Sequence, residues 1–99
     1  MPIEMAATPL PDLVLYTRPG CGLCAETRDL LQSLLEDRAA RGLPLAHFRE
    51  RDIETDPALE RDLFDRIPVV ELRGRRLELA ISAAKLGRFL ADGLDSVLA

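Results

Sequence analysis

Tryptophan is absent from this chain, and its 99 residues hold one tyrosine and three phenylalanines. Leu, Val, Ile and Ala must therefore fill any core. Positive charge is short as well: 13 Lys and Arg stand against 17 Asp and Glu, for a net charge of -4. An acidic chain without a face of interleaved aromatic and basic residues is a poor partner for nucleic acid. No run approaches the roughly 18 apolar residues of a membrane-spanning helix. Met1 to Pro11 has no basic stretch followed by an apolar one, so no secretory signal is expected. Histidine occurs once, as His47, and cysteine twice, as Cys21 and Cys24. Two cysteines make a poor disulfide framework for a secreted domain. Even with His47 they fall short of the four ligands of a structural zinc site. No internal repeat or low-complexity block is present.

What is there suits one domain. The hydrophobic fraction is 47% and the charged fraction 30%, as expected of a soluble, cytoplasmic protein. Pro2, Pro9 and Pro11 give a flexible N-terminal leader over residues 1–12, followed by a single domain over 13–99. Leu13 to Thr17 is a short apolar run that reads as a strand buried on both faces. From Ala25 to about Arg41, Leu30, Leu31, Leu34 and Leu35 recur at helical spacing, and Gly42 with Pro44 stops the helix. Leu45 to Ile53 reads as a second strand. Asp56 as N-cap and Pro57 as first residue open another helix, with Leu59, Leu63 and Phe64 facing the core and an end near Arg66. Ile67 to Leu72 is a third strand. Arg73-Gly74-Arg75 marks a hairpin, and Arg76 to Leu79 returns with Leu77 and Leu79 on one face. Ser82 caps a last helix carrying Leu86, Phe89 and Leu90. Gly93 is expected to interrupt or end it, with a short turn over Leu94 to Leu98. The order β-α-β-α-β-β-α predicts a four-stranded mixed sheet with three flanking helices. Leu30, Leu34, Leu59, Leu63, Val69 and Leu86 are its core candidates.

The chemistry lies in Cys21-Gly22-Leu23-Cys24. A Cys-x-x-Cys between a strand and a helix places its first sulfur at the helix N-terminus, where unpaired N–H groups and the helix dipole favour negative charge. That environment favours the thiolate, the nucleophile of disulfide exchange. The second sulfur lies one turn on, close enough to close a disulfide. Half of a zinc site and a purely structural disulfide are the bland alternatives, and neither suits two cysteines in a reducing compartment. His47 reads as a surface strand residue, Tyr16 as core or rim packing, and Glu26 as part of a solvated helix face.

The segment Leu15-Tyr16-Thr17-Arg18-Pro19-Gly20-Cys21-Gly22-Leu23-Cys24, the later Arg66-Ile67-Pro68-Val69-Val70 and the element order together resemble the glutaredoxin-like proteins of the thioredoxin-fold superfamily. The resemblance runs from about Leu13 to Leu90. It implies a thiol–disulfide oxidoreductase with Cys21 as nucleophile and Cys24 as resolving cysteine. It places Pro68 as a cis-proline beside the disulfide, with Ile67 offering backbone N–H and C=O to an extended substrate. Arg18 falls where many glutaredoxins have a lysine that attracts glutathione carboxylate or supports the thiolate. Gly22 and Leu23 complete the substrate-contacting set.

Two departures bear on partners. Glutaredoxins usually carry a Gly-Gly pair and an Asp near the start of the last helix, where this chain has Leu79-Ala80-Ile81-Ser82-Ala83. Thioredoxins usually have Trp before the first cysteine and a buried Asp in the first strand, where this chain has Gly20 and Leu15. The expected partners are a disulfide-containing protein or a glutathione mixed disulfide, with glutathione or a reductase as reductant. No bound cofactor or metal is expected, glutathione entering as a co-substrate. The alternative class is a non-catalytic thioredoxin-fold module that binds a partner, a metal or an iron–sulfur centre.

Overall fold

A central strand, β1 (Asp12–Thr17), organises the chain. It pairs in parallel with β2 (His47–Asp52) and antiparallel with β3 (Val69–Leu72), which pairs with β4 (Arg75–Leu77). The sheet order is β2-β1-β3-β4. The computed structural model describes residues 10–95. The expected leader therefore lies outside the described residues except for its last three, of which Asp12 already belongs to β1. The turn expected over Leu94 to Leu98 lies largely outside them too.

Alternation along β1 assigns the two faces. Leu13 and Leu15 join Val70 and Leu72 on one side, against Leu31 of α1 (Gly22–Ala40) and Leu86, Leu90 and Leu94 of α3 (Ala83–Leu94). Tyr16 joins Val69 on the other, against Ile53 and Leu63 of α2 (Pro57–Leu63). The buried residues of both cores are aliphatic but for Tyr16, with Phe48 and Phe89 partly buried against the first. This is the mixed sheet with three helices expected of a thioredoxin-like fold.

Local chemistry fixes the element ends. After α1, Gly42 takes a φ of +70°, and the N–H groups of Gly42 and Leu43 donate to the carbonyls of Ala39 and Arg38. That pattern satisfies the last helical carbonyls and reverses the chain. Asp56 caps α2 by accepting from the Ala58 N–H, and Pro57 opens it. Between β3 and β4 the two-residue turn Arg73-Gly74 has φ of +52° and +79°, the doubly positive geometry that matches strand twist.

Several elements depart from their predicted bounds. Helix α1 begins at Gly22 rather than Ala25, because the Cys21 side chain caps it. Strand β2 is shorter than Leu45 to Ile53. It starts where the His47 N–H donates to the Pro11 carbonyl and stops where the Asp52 carboxylate accepts from Glu54 N–H, turning the chain into a 3-10 turn at Ile53–Thr55. Helix α2 ends at Leu63, and Phe64 is 54% exposed instead of core. Leu59 and Leu63 share one face of a helix only two turns long, so Phe64 is rotated about 100° away from it. Strand β4 stops at Leu77, and Leu79 lies outside it, exposed and with φ of +48°.

Gly93 does not interrupt the last helix. Helix α3 continues through it to Leu94. A Cβ at Gly93 would lie 2.4 Å from the Leu72 side chain, so the glycine permits close approach of helix and sheet.

Candidate active site

The carboxyl end of β1 delivers the chain to the dithiol. Pro19-Gly20 makes the turn, with Gly20 at φ of +79°. The Cys21 N–H donates to the Arg18 carbonyl, closing that turn. Cys21 is then the N-cap of α1, and the Cys24 backbone N–H donates to its Sγ at 3.1 Å. A helix-start N–H that would otherwise want a side-chain oxygen thus points at sulfur. Here the acceptor is a disulfide sulfur, since Cys21 and Cys24 are joined with Cα atoms 5.2 Å apart. No acidic residue occupies the first turn of α1, so nothing there offsets the favourable field for an anion.

The two sulfurs differ in access. Cys21 is half-buried and lines an open cleft of about 560 Å³, with Thr17, Arg18, Gly20, Arg28 and Asp52 among its walls. Cys24 is fully buried. Incoming sulfur can therefore reach Cys21 and not Cys24. Arg18 is exposed and borders both this cleft and a second groove beside Phe64 and Glu60. Arg28 is held by a two-pronged ion pair to Glu50, with contacts of 2.7 and 2.8 Å. The Arg28 hydrogen bond lowers the Glu50 carboxyl below its ordinary value, against a smaller opposing effect of burial.

On the other side stands the Ile67–Pro68 segment. Its peptide bond is cis, and Pro68 is fully buried. Ile67 is half-buried and packs against the α2-side core. The expectation that Ile67 offers both backbone groups is corrected in part. Its N–H donates to the Leu63 carbonyl at the end of α2, which leaves the carbonyl as the group it can offer. The Pro68 carbonyl accepts from the Ala80 N–H at 2.8 Å, and the Arg66 carbonyl from the Leu79 N–H at 3.0 Å. Residues 79–81 thus run alongside the proline segment.

The dithiol helix and that segment are tied by a residue the sequence did not single out. Thr27, fully buried on α1, donates its hydroxyl to the Ala80 carbonyl at 2.7 Å. Leu23 lies four residues earlier, one turn up the same helix face, and is 47% exposed. Gly22 is the first residue of α1 and lines the cleft. His47 is far away: it pairs with Asp12 at the opposite end of β1, about 16 Å along the strands from Thr17. It does have an acidic neighbour, Asp12, at 3.3 Å.

A half-exposed sulfur caps the helix, a buried sulfur lies one turn on, and the cis-proline segment leads into β3, whose Val69 pairs with Tyr16 near the dithiol turn. Residues 12–91 match the family described as Glutaredoxin-like domain (DUF836). The chain belongs to that family. The crystal structure of the structural-genomics target protein XcR50 from X. campestris is similar to this glutaredoxin-like domain at 31% identity. It covers 81% of this chain and 96% of that one, with a TM-score of 0.66. The solution structure of the same target gives 31% identity, coverage of 81% and 92%, and a TM-score of 0.63. Protein Ne2328 from Nitrosomonas europaea shares the fold at 24% identity, coverage of 81% and 91%, and a TM-score of 0.63. No curated protein matches the chain.

Within this glutaredoxin-like domain, the place where many glutaredoxins carry a glycine pair shows how the backbone behaves without one. Leu79 takes a positive φ despite its side chain, a conformation that costs about 1–3 kcal/mol in a non-glycine residue. The hydrogen bonds at Leu79 and Ala80 hold it there. Ser82 supplies the expected cap, accepting from the Lys85 N–H. Leu79 and Ile81 are 57% and 50% exposed, so apolar side chains stand where glycines would leave open backbone. Among the described residues no group of three or more His, Cys, Asp or Glu is placed to hold a metal. No described helix is long and apolar enough to cross a membrane.

Proposed function

We propose that this domain is a thiol–disulfide oxidoreductase that reduces protein disulfides or glutathione mixed disulfides through Cys21 and Cys24. One observation carries the reading: the accessible sulfur is also the one that caps a helix and receives a backbone N–H, while its partner is buried behind it. Exposure and thiolate stabilisation fall on the same atom, as nucleophilic attack requires.

The reaction balances as follows. The Cys21 thiolate attacks one sulfur of a substrate disulfide, forming a Cys21–substrate bond and expelling the other substrate sulfur as thiolate, which takes a proton from water. Cys24, deprotonated, attacks Cys21 Sγ, forms the Cys21–Cys24 disulfide and releases the second substrate thiolate. Substrate gains two electrons and the dithiol loses two. Glutathione, as co-substrate, or a reductase returns them. In this reading Arg18, which lines the cleft with Cys21, draws a carboxylate-bearing substrate toward that sulfur, and the Ile67 carbonyl accepts from the substrate backbone. A cytoplasmic location, where reduced thiols are maintained, fits this direction of flow.

The test is turnover of a small mixed disulfide with glutathione, beside Cys21→Ser. Activity above background in the wild type and none in the variant is expected. Background activity in freshly reduced wild-type protein overturns the proposal. An ultraviolet-visible spectrum of freshly purified protein checks the iron–sulfur form of the rival module reading, which requires the absorption of a cluster.

A further inference from the structure

Thr27 is an unusual residue to find inside a helix. A β-branched hydroxyl residue is a modest helix former, and its hydroxyl ordinarily turns back to a carbonyl three or four residues earlier. Here it reaches across 53 residues of sequence to the Ala80 carbonyl, in a fully buried position. No buried side-chain polar atom among the described residues lacks a partner. Ala80 is itself buried, and its N–H donates to the Pro68 carbonyl. One residue thus takes a hydrogen bond from the dithiol helix and gives one to the proline segment. The chain of contacts is Thr27 hydroxyl, Ala80 peptide groups, Pro68 carbonyl. It begins one turn beyond Cys24 and ends beside the carbonyl of Ile67.

The neighbours of Ala80 explain why a clamp is needed. Leu79 holds a left-handed backbone that its side chain disfavours, and both Leu79 and Ile81 expose apolar side chains. Free of restraint, such a segment would relax toward ordinary φ and cover its apolar groups. Leu79, Ala80 and Ile81 carry neither sulfur nor charge, so backbone hydrogen bonds and the Thr27 hydroxyl hold the segment.

We propose that Thr27 is a positioning residue for substrate binding: through Ala80 it sets the separation between the dithiol helix and the Ile67–Pro68 segment, the gap in which a disulfide-bearing substrate seats. The assignment rests on the redox reading above. Thr27 touches neither sulfur through a hydrogen bond and acts on binding rather than on the thiolate.

Thr27→Val keeps the shape and removes the hydroxyl, leaving the Ala80 carbonyl without its partner. Thr27→Ser restores it. With a glutathionylated peptide as substrate, Thr27→Val raises KM about fivefold, the effect of one lost buried hydrogen bond. It changes kcat less than about twofold, the split expected when binding and not chemistry is weakened. Thr27→Ser returns KM to within about twofold of wild type. Alkylation of reduced Cys21 by iodoacetamide proceeds at the wild-type rate in both variants. Exchange of the Ala80 amide proton accelerates in Thr27→Val only. If Thr27→Val does not fold, Thr27→Ala removes the same hydroxyl without burying a new methyl group beside the Ala80 carbonyl, and the same KM rise with unchanged alkylation is expected.

An unchanged KM in a folded Thr27→Val, or an alkylation rate that falls in step with turnover, overturns the proposal. Absence of turnover in the wild type overturns the redox reading instead, and the substrate role with it. Turnover present in the wild type and indifferent to Thr27 overturns the clamp alone.

Discussion

Cys21 and Cys24 sit in the same helical turn yet meet opposite conditions, one half-exposed at the cap and one sealed in the core. Cys24→Ser should therefore retain attack and stall afterwards, because the second displacement needs the Cys24 thiolate. Incubation with a glutathionylated peptide is expected to leave one equivalent of mixed disulfide on Cys21, read by mass spectrometry, where Cys21→Ser gives none. At Tyr16 the prediction concerns pH. Burial, then the hydrogen bond to the Glu71 carboxylate at 2.5 Å, raise the phenol above its ordinary value. A raised acid contributes stability that is complete below the unfolded value, near pH 10, and is lost as pH rises through the folded value. Tyr16→Phe should flatten the alkaline fall of the urea midpoint above about pH 10. Gly93→Ala places a methyl group 2.4 Å from Leu72. It should destabilise the protein by about 1–3 kcal/mol, as overpacking does, even though alanine favours helix.

At the scale of elements, α1 is fastened along its length by contacts of different kinds. Its first turn holds the dithiol, its second reaches Ala80, and Arg28 crosses to Glu50 on the edge strand β2. The Glu50 carboxyl is lowered by its hydrogen bond to Arg28. A lowered acid contributes stability present above its unfolded value, near pH 4.3, and lost as pH falls through the folded value. Both side chains are about one-third exposed, so solvent screens the pair. Glu50→Gln should cost no more than about 0.5 kcal/mol at neutral pH, with the difference from wild type vanishing in acid. The strand it sits on, His47–Asp52, is polar along almost all its length. Charged side chains on a sheet edge discourage pairing with another chain, and this is why hydrophobic alternation marked β2 poorly. The helix caps were easier. Asp56 with Pro57, Ser82 and Gly42 all act within a few residues of their own position, so local sequence carries the information.

Across the whole molecule, the end opposite the dithiol is closed by a contact between helices. Arg38, buried on α1, donates Nε–H to the Pro44 carbonyl and pairs with Asp95 just beyond α3. Arg38 lies about 25 Å along α1 from Cys21. Asp95→Asn leaves a buried guanidinium partly unpaired and should cost about 1–3 kcal/mol, a fall in melting temperature of several degrees for a domain of this size. Turnover measured below the transition should be unchanged, because nothing in the dithiol turn moves. Stability and activity are thus separable at the two ends of one helix.

The sequence by itself determined the order of elements, the sheet and its two covered faces, and the dithiol with its helix. Those follow from periodicity, caps and a motif, all of which act over a few neighbouring residues. Tertiary structure decided the rest. It ran α3 through Gly93, because only contact with Leu72 reveals why that residue lacks a side chain. It turned Phe64 and Leu79 out to solvent while their neighbours Leu63 and Ala80 are buried, because helix rotation at Phe64 and the left-handed turn at Leu79 carry those side chains off the core face. It spent the Ile67 N–H on the end of α2. Above all it joined Thr27 to Ala80, a hydrogen bond between residues that only the packing of α1 against the chain after β4 brings together.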